Sequence, residues 1–223
     1  MLTLENIDRT ETLRYMGFHG SIPDKRFLER IDVMEKELIR TAVPRFVWKS
    51  EPLVSDGDVL SAGGVILAGN DIKAHLEECT HAVFMAATLS IQTDMLISRA
   101  QAVSMTDALI LDALGSAGIE QICGKAELLI NEKYPEKYMT WRYSPGYGDF
   151  PIESQSELAA CLDAQRKIGL TVTESTLMIP KKSGTAIIGI ADKPLPKKRS
   201  GCISCNMRDK CNFRKNGVRC TDA

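Results

Sequence analysis

The chain has 223 residues, of which 44% are hydrophobic and 26% are charged, and its formal net charge is −1. These values are ordinary for a soluble globular protein. The longest uncharged apolar run, residues 80–91, is too short to span a bilayer, and the polar start of the chain lacks the pattern of a secretory signal. We therefore expect a cytoplasmic protein.

The charge is unevenly distributed along the chain. From Lys193 onward there are nine Lys or Arg residues and two Asp residues, so residues 193–223 carry +7 and residues 1–192 carry −8. Four of the seven cysteines also lie in the last segment. We predict two regions: a folded domain over residues 1–192, and a basic, Cys-rich tail over residues 193–223.

The first half of the domain alternates helical and strand patterns. Asp24 is placed to begin a firm amphipathic helix, and Asn70-Asp71 to cap a shorter one. His75 and His81 flank a helix–strand junction, where a structural role is favoured over metal binding. The predicted elements are a helix over residues 2–15 with Thr3 as its cap, a helix over 24–41, strands over 45–67, a helix over 72–78 and an apolar strand over 81–89.

The second half begins with some forty residues of mostly helical pattern, residues 91–132, with a break or bend expected near Gly115–Gly118. A further helix is predicted over residues 153–167, ended by Gly169. Residues 171–179 and 186–191 then predict a strand hairpin joined through residues 180–184. Helices interspersed with hairpins favour an α+β fold over a βαβ series.

One face of the long helical segment carries small residues and a single acid: Ala113, Ala117, Glu120 and Gly124. Small residues let a ligand or another backbone come close. A carboxylate on such a face must be paired if it is buried. Glu120 is therefore a candidate binding residue, and an exposed glutamate without a function is the alternative.

Residues 142–150, here called the glycine loop, read Arg-Tyr-Ser-Pro-Gly-Tyr-Gly-Asp-Phe. Pro145 and its two glycines exclude a helix or a central strand. Arg142 supplies a planar donor fork suited to a carboxylate or phosphate, and flat apolar faces are offered by Tyr143, Tyr147 and Phe150. The loop is a candidate clamp for a small molecule with an acid group and a ring. A tight turn with a surface arginine is the alternative.

Several motifs at fixed spacing give this chain a family resemblance. They are Arg142-x-Ser144-x-Gly146-Tyr147, the run from Ile168 to Ser175 reading Ile-Gly-Leu-Thr-x-Thr-Glu-Ser, and then Met178-x-Pro180 and Ser183-Gly184. Over residues 141–189 this pattern resembles the activation domain of cobalamin-dependent methionine synthase. The resemblance implies a bent antiparallel sheet with surrounding helices and a shallow groove that binds S-adenosylmethionine.

The resemblance also implies roles for five residues. Arg142 would hold the ligand's carboxylate, Glu120 would lie near its ammonium group, and the backbone of Ser144 and Gly146 with the ring of Tyr147 would line the ligand. Two further family contacts are not placed here: an acid from the N-terminal region, and a tyrosine after the last hairpin. No tyrosine follows Gly189 in this chain.

The function implied is reductive reactivation of methionine synthase or another corrinoid protein. A separate partner would carry the cobalamin, an electron donor would reduce it, and this chain would present the methyl group of S-adenosylmethionine to cobalt. Positioning would be the protein's own contribution, since the sulfonium is already activated. A non-catalytic sensor of S-adenosylmethionine is an alternative of a different class.

The tail predicts a metal site. Four thiolates can hold an iron–sulfur cluster or zinc, and an electron-carrying cluster suits reactivation, while metal-free cysteines remain a third interpretation. Basic residues around cysteines also occur in zinc ribbons that bind nucleic acid. The acidic body and a single tail aromatic, Phe213, argue against nucleic acid. The candidate ligands are Cys202, Cys205, Cys211 and Cys220.

Overall fold

The computed structural model describes residues 2–18, 21 and 23–195. Its helices are α1 (Arg9–Tyr15), α2 (Lys25–Thr41), α3 (Asn70–Leu76), α4 (Ile91–Val103), α5 (Met105–Asn131), α6 (Ser154–Cys161) and α7 (Ala164–Ile168). Its strands are β1 (Arg45–Asp56), β2 (Val59–Ala62), β3 (Val65–Ile66), β4 (His81–Thr88), β5 (Tyr138–Met139), β6 (Thr171–Val172), β7 (Met178–Ile179) and β8 (Ser183–Ala191).

Six strands form one antiparallel sheet in the order β3-β2-β1-β4-β8-β5, and β6 pairs with β7 in a separate hairpin. The predicted α+β class is confirmed. Strand β4 lies at the centre, with Val83 opposite Ile188 of β8 and opposite Ser50 of β1. Its unbroken apolar sequence is typical of a strand that is covered on both faces.

Two hydrophobic cores lie on the two faces of the sheet. Alternate residues of β4 divide between them: Val83 and Met85 belong to one core and Phe84 to the other. The first core is covered by α1, α2, α4 and α5, and the second by α3, α6 and α7. Helix α5 crosses the sheet beside β4 and β8, which places its side chains next to the chain that follows β5.

Residues 2–8, here called the N-terminal strap, run as irregular chain across α5. Leu4 is buried and packs within 3.3 Å of where a Cβ of Gly118 would lie. The side-chain oxygen of Gln121 accepts a hydrogen bond from the backbone of Asp8 at 3.0 Å, and Lys125 Nζ donates to the Thr3 carbonyl at 2.8 Å. The strap is therefore tied to α5 by both apolar and polar contacts.

Two predicted helix boundaries near the strap and in α5 are wrong. Helix α1 begins at Arg9 rather than near Leu2, and Asp8 is its cap instead of Thr3, because the strap's apolar side chains pack onto α5. The long helical segment breaks at Ser104 and not near Gly115–Gly118. Those glycines stay inside α5, where their small size admits neighbouring side chains.

Two further predictions need correction. The helix predicted over residues 153–167 is divided into α6 and α7 by Asp163, whose φ of 53° lies in the left-handed region. The predicted hairpin is also different, since β7 pairs with β6 and β8 pairs with β4 and β5 in the main sheet. The helix over residues 24–41, its Asp24 cap and the stop at Gly169 are confirmed.

Candidate functional site

The glycine loop leaves the sheet edge and folds back on itself. Tyr143 pairs with Ile187 of β8 through two backbone hydrogen bonds of 2.8 Å. The Gly146 N–H donates to the Phe150 carbonyl at 2.8 Å, and the Tyr147 N–H donates to the Ser144 carbonyl at 3.1 Å. Gly146 has a φ of 87°, which explains the need for glycine there. The loop is closed by its own backbone.

The far end of the loop is fixed to helix α3. Asp149 accepts hydrogen bonds from the backbone N–H groups of Asn70 and Asp71, at 2.7 and 2.9 Å. These N–H groups belong to the first turn of α3, which has no side-chain cap of its own. They hold the pKa of the Asp149 carboxyl below its usual value. The loop thus supplies the cap that α3 lacks.

At its near end, the loop places a guanidinium between two acids of α5. Arg142 Nε lies 3.0 Å from Glu127 Oε2, and Arg142 Nη2 lies 3.4 Å from Glu120 Oε2. The Arg142 side chain is only 25% exposed. Glu120 and Glu127 are seven residues apart, which is two turns, and so share one face of the helix.

A buried thiol lies beside this group. Cys123 is buried on α5, and burial raises its pKa to about 12 while Arg142 opposes the rise. The thiol is therefore neutral near pH 7, and the negative charge that faces the guanidinium comes from the two carboxylates. Cys123 Sγ also lies 3.3 Å from where a Cβ of Gly184 would be, so the residue packs against β8.

A cleft of about 410 Å³ opens between the glycine loop, α5 and the N-terminal part of the chain. Tyr147 forms one side of it and is 57% exposed. Helix α5 forms the floor, and α1 with its cap forms the opposite side. The lining residues are Asp8, Glu11, Arg14, Tyr15, Ala117, Glu120, Gln121 and Tyr147.

Acidic groups outnumber basic ones in this lining. Asp8, Glu11 and Glu120 are carboxylates, and Arg14 is bonded to Glu11 at 2.6 Å. The pKa of Tyr15 is raised, first by burial and then by Glu120. The cleft is thus suited to a ligand with positive charge and an apolar surface.

The structure brings some of the predicted binding residues together and leaves others apart. Glu120 and Tyr147 line the same cleft, and Arg142 stands at its edge in contact with Glu120. The described backbone hydrogen bonds of Ser144 and Gly146 stay within the glycine loop. Neither these two nor Arg142 is among the lining residues.

Sequence reasoning missed two parts of this site. Glu127 could have been found from its spacing of seven residues from Glu120. Asp8 and Glu11 carried no comparable signal, because only the docking of the strap onto α5 brings them to the cleft.

No metal centre is found in the part of the chain that the structure describes. No group of three or more His, Cys, Asp or Glu side chains there could hold a metal ion. His75 is buried and contacts the Trp141 carbonyl at 3.0 Å, whereas His81 is exposed beside Thr80. The four tail cysteines lie outside the described residues. None of the described helices is long and apolar enough to cross a membrane.

Comparison with known proteins identifies the relatives of this arrangement. Residues 119–193 match the family model described as vitamin B12 dependent methionine synthase, activation domain. No curated protein sequence matches the chain. Among solved structures, the MetH reactivation domain bound to AdoHcy matches with a TM-score of 0.61 and 18% identity, covering 95% of this chain and 82% of that one.

The family match includes both Glu120 and the whole glycine loop, and the structural match extends over nearly all of the chain. The predicted fold is thereby confirmed. This chain resembles the activation domain of vitamin B12-dependent methionine synthase, in sequence over residues 119–193 and in fold over almost its whole length.

Proposed function

We propose that this protein binds S-adenosylmethionine in the cleft and presents its methyl group to cobalamin on a separate methionine synthase or corrinoid protein. The reaction served is reductive reactivation, in which an electron donor reduces the inactive cobalamin and methylation traps the reduced form. S-adenosylmethionine supplies the activated methyl group, so the residues of this chain bind and orient.

The observation that carries the proposal is the contact between Arg142 and Glu120 at the edge of the cleft. Their opposite charges are 3.4 Å apart, and the Glu120 side chain is 54% exposed. An α-amino acid carries a carboxylate and an ammonium group on one carbon. Such a group can enter between the two side chains, with its carboxylate on Arg142 and its ammonium on Glu120.

The charge of the cleft supports the same ligand. S-adenosylmethionine carries a sulfonium in addition to its zwitterionic end, so its net charge is positive. Glu120 takes the ammonium that both forms of the ligand share, and the carboxylates of Asp8 and Glu11 favour a cation over the neutral thioether that remains after methyl transfer. Tyr147 offers an exposed ring on which the nucleoside can pack.

The two sides of the cleft have different roles in binding the ligand. The glycine loop is closed by its own backbone hydrogen bonds, and its Asp149 caps α3. These contacts hold Tyr147 and Arg142 in place. The strap holds the acidic wall against α5. No general base is needed, since a sulfonium transfers its methyl group without prior proton removal.

The first experiment is calorimetric titration of the full chain with S-adenosylmethionine. We expect saturable binding at one site, and no binding would refute the proposal. The second is incubation with a corrinoid protein, a reductant and S-adenosylmethionine labelled in its methyl group. Label on cobalamin supports the reactivation role, whereas binding without transfer identifies a sensor.

A further inference from the structure

Arg142 is held more firmly by Glu127 than by Glu120. The Nε–Glu127 distance is 3.0 Å, against 3.4 Å for Nη2–Glu120. The Glu127 side chain is 24% exposed and the Glu120 side chain is 54% exposed. Because water screens the exposed pair more strongly, Glu127 is the stronger partner of the guanidinium.

The planar shape of the guanidinium determines which of its nitrogens faces each acid. Nε and Nη2 lie on the same edge of a rigid planar fork. An acceptor on Nε therefore fixes the plane, and the Nη end of Arg142 points along α5 to Glu120, which lines the cleft. Glu127 itself is not among the lining residues.

We propose that Glu127 is a positioning residue, which anchors Arg142 at Nε so that its Nη end can leave Glu120 and accept the carboxylate of an amino-acid ligand. The inference rests on the proposed function. Glu127 touches no ligand and acts only through Arg142. With Glu127 neutral, Arg142 settles fully on Glu120, and a ligand must break that stronger pair.

The test compares two ligands that differ only in the carboxylate, S-adenosylmethionine and its decarboxylated form. In the variant Glu127→Gln we expect about fivefold weaker binding of S-adenosylmethionine, the range of a partly exposed ion pair. Binding of the decarboxylated ligand should weaken by no more than about twofold, since only its ammonium competes with Arg142 for Glu120 and it has no carboxylate to place on Arg142. A structural defect would weaken both ligands alike.

The matched control is Glu132→Gln, which removes the same charge from an exposed glutamate at the end of α5. This control should change neither affinity. Equal losses for the two ligands in Glu127→Gln, or no loss for either, would overturn the inference and leave the proposed function intact. A wild-type protein that binds neither ligand would overturn both.

A second readout needs no ligand. The Arg142 Nε–H resonance in ¹⁵N NMR should be slow to exchange with water in the wild type and shift in Glu127→Gln but not in Glu132→Gln. Rapid exchange in the wild type would contradict the anchoring role even if the Glu127 variant failed to fold.

Discussion

Asp149 and Asp71 hold each other's backbone. The Asp149 carboxylate accepts a hydrogen bond from the Asp71 N–H at 2.9 Å, and the Asp71 carboxylate accepts one from the Asp149 N–H at 3.2 Å. The two residues are 78 positions apart, so this exchange joins the glycine loop to the start of α3. It resembles a capping box whose halves come from different parts of the chain.

We expect Asp149→Ala to lower the melting temperature by a few degrees, because the first turn of α3 loses its acceptor. Asp149→Asn should retain most of the stability at neutral pH, since an asparagine oxygen can also accept from a helix N-terminus. Thermal unfolding followed by circular dichroism measures both. Equal losses in the two variants would show that charge, and not the hydrogen bonds, holds the loop.

The pH dependence of this contact has a definite sign. The pKa of Asp149 is lowered in the folded state, chiefly by the Asp71 and Asn70 N–H groups. The contribution of Asp149 to stability is therefore complete at pH values above its unfolded-state pKa of about 4. It is lost as the pH falls through the lower pKa of the folded state. The difference in melting temperature between wild type and Asp149→Ala should shrink with acidification over that range. A difference that is constant from pH 7 to pH 2 would contradict the assignment.

Replacing Arg142 should weaken S-adenosylmethionine binding tenfold or more. A charge-assisted hydrogen bond contributes about 1.5–3 kcal/mol. Arg142→Ala removes this bond to the ligand and also leaves Glu120 and Glu127 without their ion pairs to Arg142. Arg142→Lys should recover only part of the affinity. A lysine ammonium lacks the planar set of donors with which a guanidinium can reach both acids and the ligand. Titration calorimetry gives the dissociation constants. An unchanged value for Arg142→Ala would remove Arg142 from the site.

Asp8→Asn should reduce the preference for S-adenosylmethionine over S-adenosylhomocysteine. Asparagine can still cap α1, where Asp8 accepts the Glu11 N–H at 3.0 Å, so the change removes charge with little effect on the helix. We expect about two- to fivefold weaker binding of the sulfonium ligand and little change for the neutral thioether. Competition titrations of both ligands measure the ratio.

Glu120→Gln is the matched comparison for that experiment. Both ligands carry the same ammonium group, so loss of the Glu120 carboxylate should weaken them to a similar extent. If Glu120→Gln alters the ratio and Asp8→Asn does not, the sulfonium lies near Glu120 and the orientation of the ligand must be reversed.

Gly189→Ala should destabilise the sheet by about 1–3 kcal/mol. A Cβ at this position in β8 would collide with Cys79 Sγ and lie 2.8 Å from Leu76 Cδ2. The double variant Cys79→Ala with Gly189→Ala should lose less stability than the two single variants added together, because the sulfur that causes the collision is absent. Urea unfolding gives the free energies, and strict additivity would place the strain elsewhere.

Local patterns predicted much of the fold. Residue spacing and composition over short stretches predict helix α2, its Asp24 cap and the apolar strand β4. The break at Ser104 was missed because Gly115 and Gly118 looked like helix breakers. In the structure these glycines make room for the Lys182 stem and for Leu4, which are contacts between distant segments.

The candidate site likewise has one part that local sequence patterns indicate and another that only distant packing creates. The loop chemistry marked Arg142 and Tyr147, and the small-residue face marked Glu120. The structure adds Glu127, which stands on the same helix face, and the acids beside the strap. Their place at the cleft depends on packing across 113 residues, between Asp8 and Gln121, and no local pattern encodes such a contact.

The strap has a consequence for how the cleft can change. The stretch shared with the activation-domain family begins at residue 119, so one whole wall of the cleft comes from chain outside that match. Exchanging only the charged side chains of this wall, Asp8, Glu11 and Arg14, would alter the charges that line the cleft, while the apolar residues of the strap kept their places in the core. The charge on this wall of the cleft can therefore vary without any change in the family-matched stretch that carries Glu120 and the glycine loop.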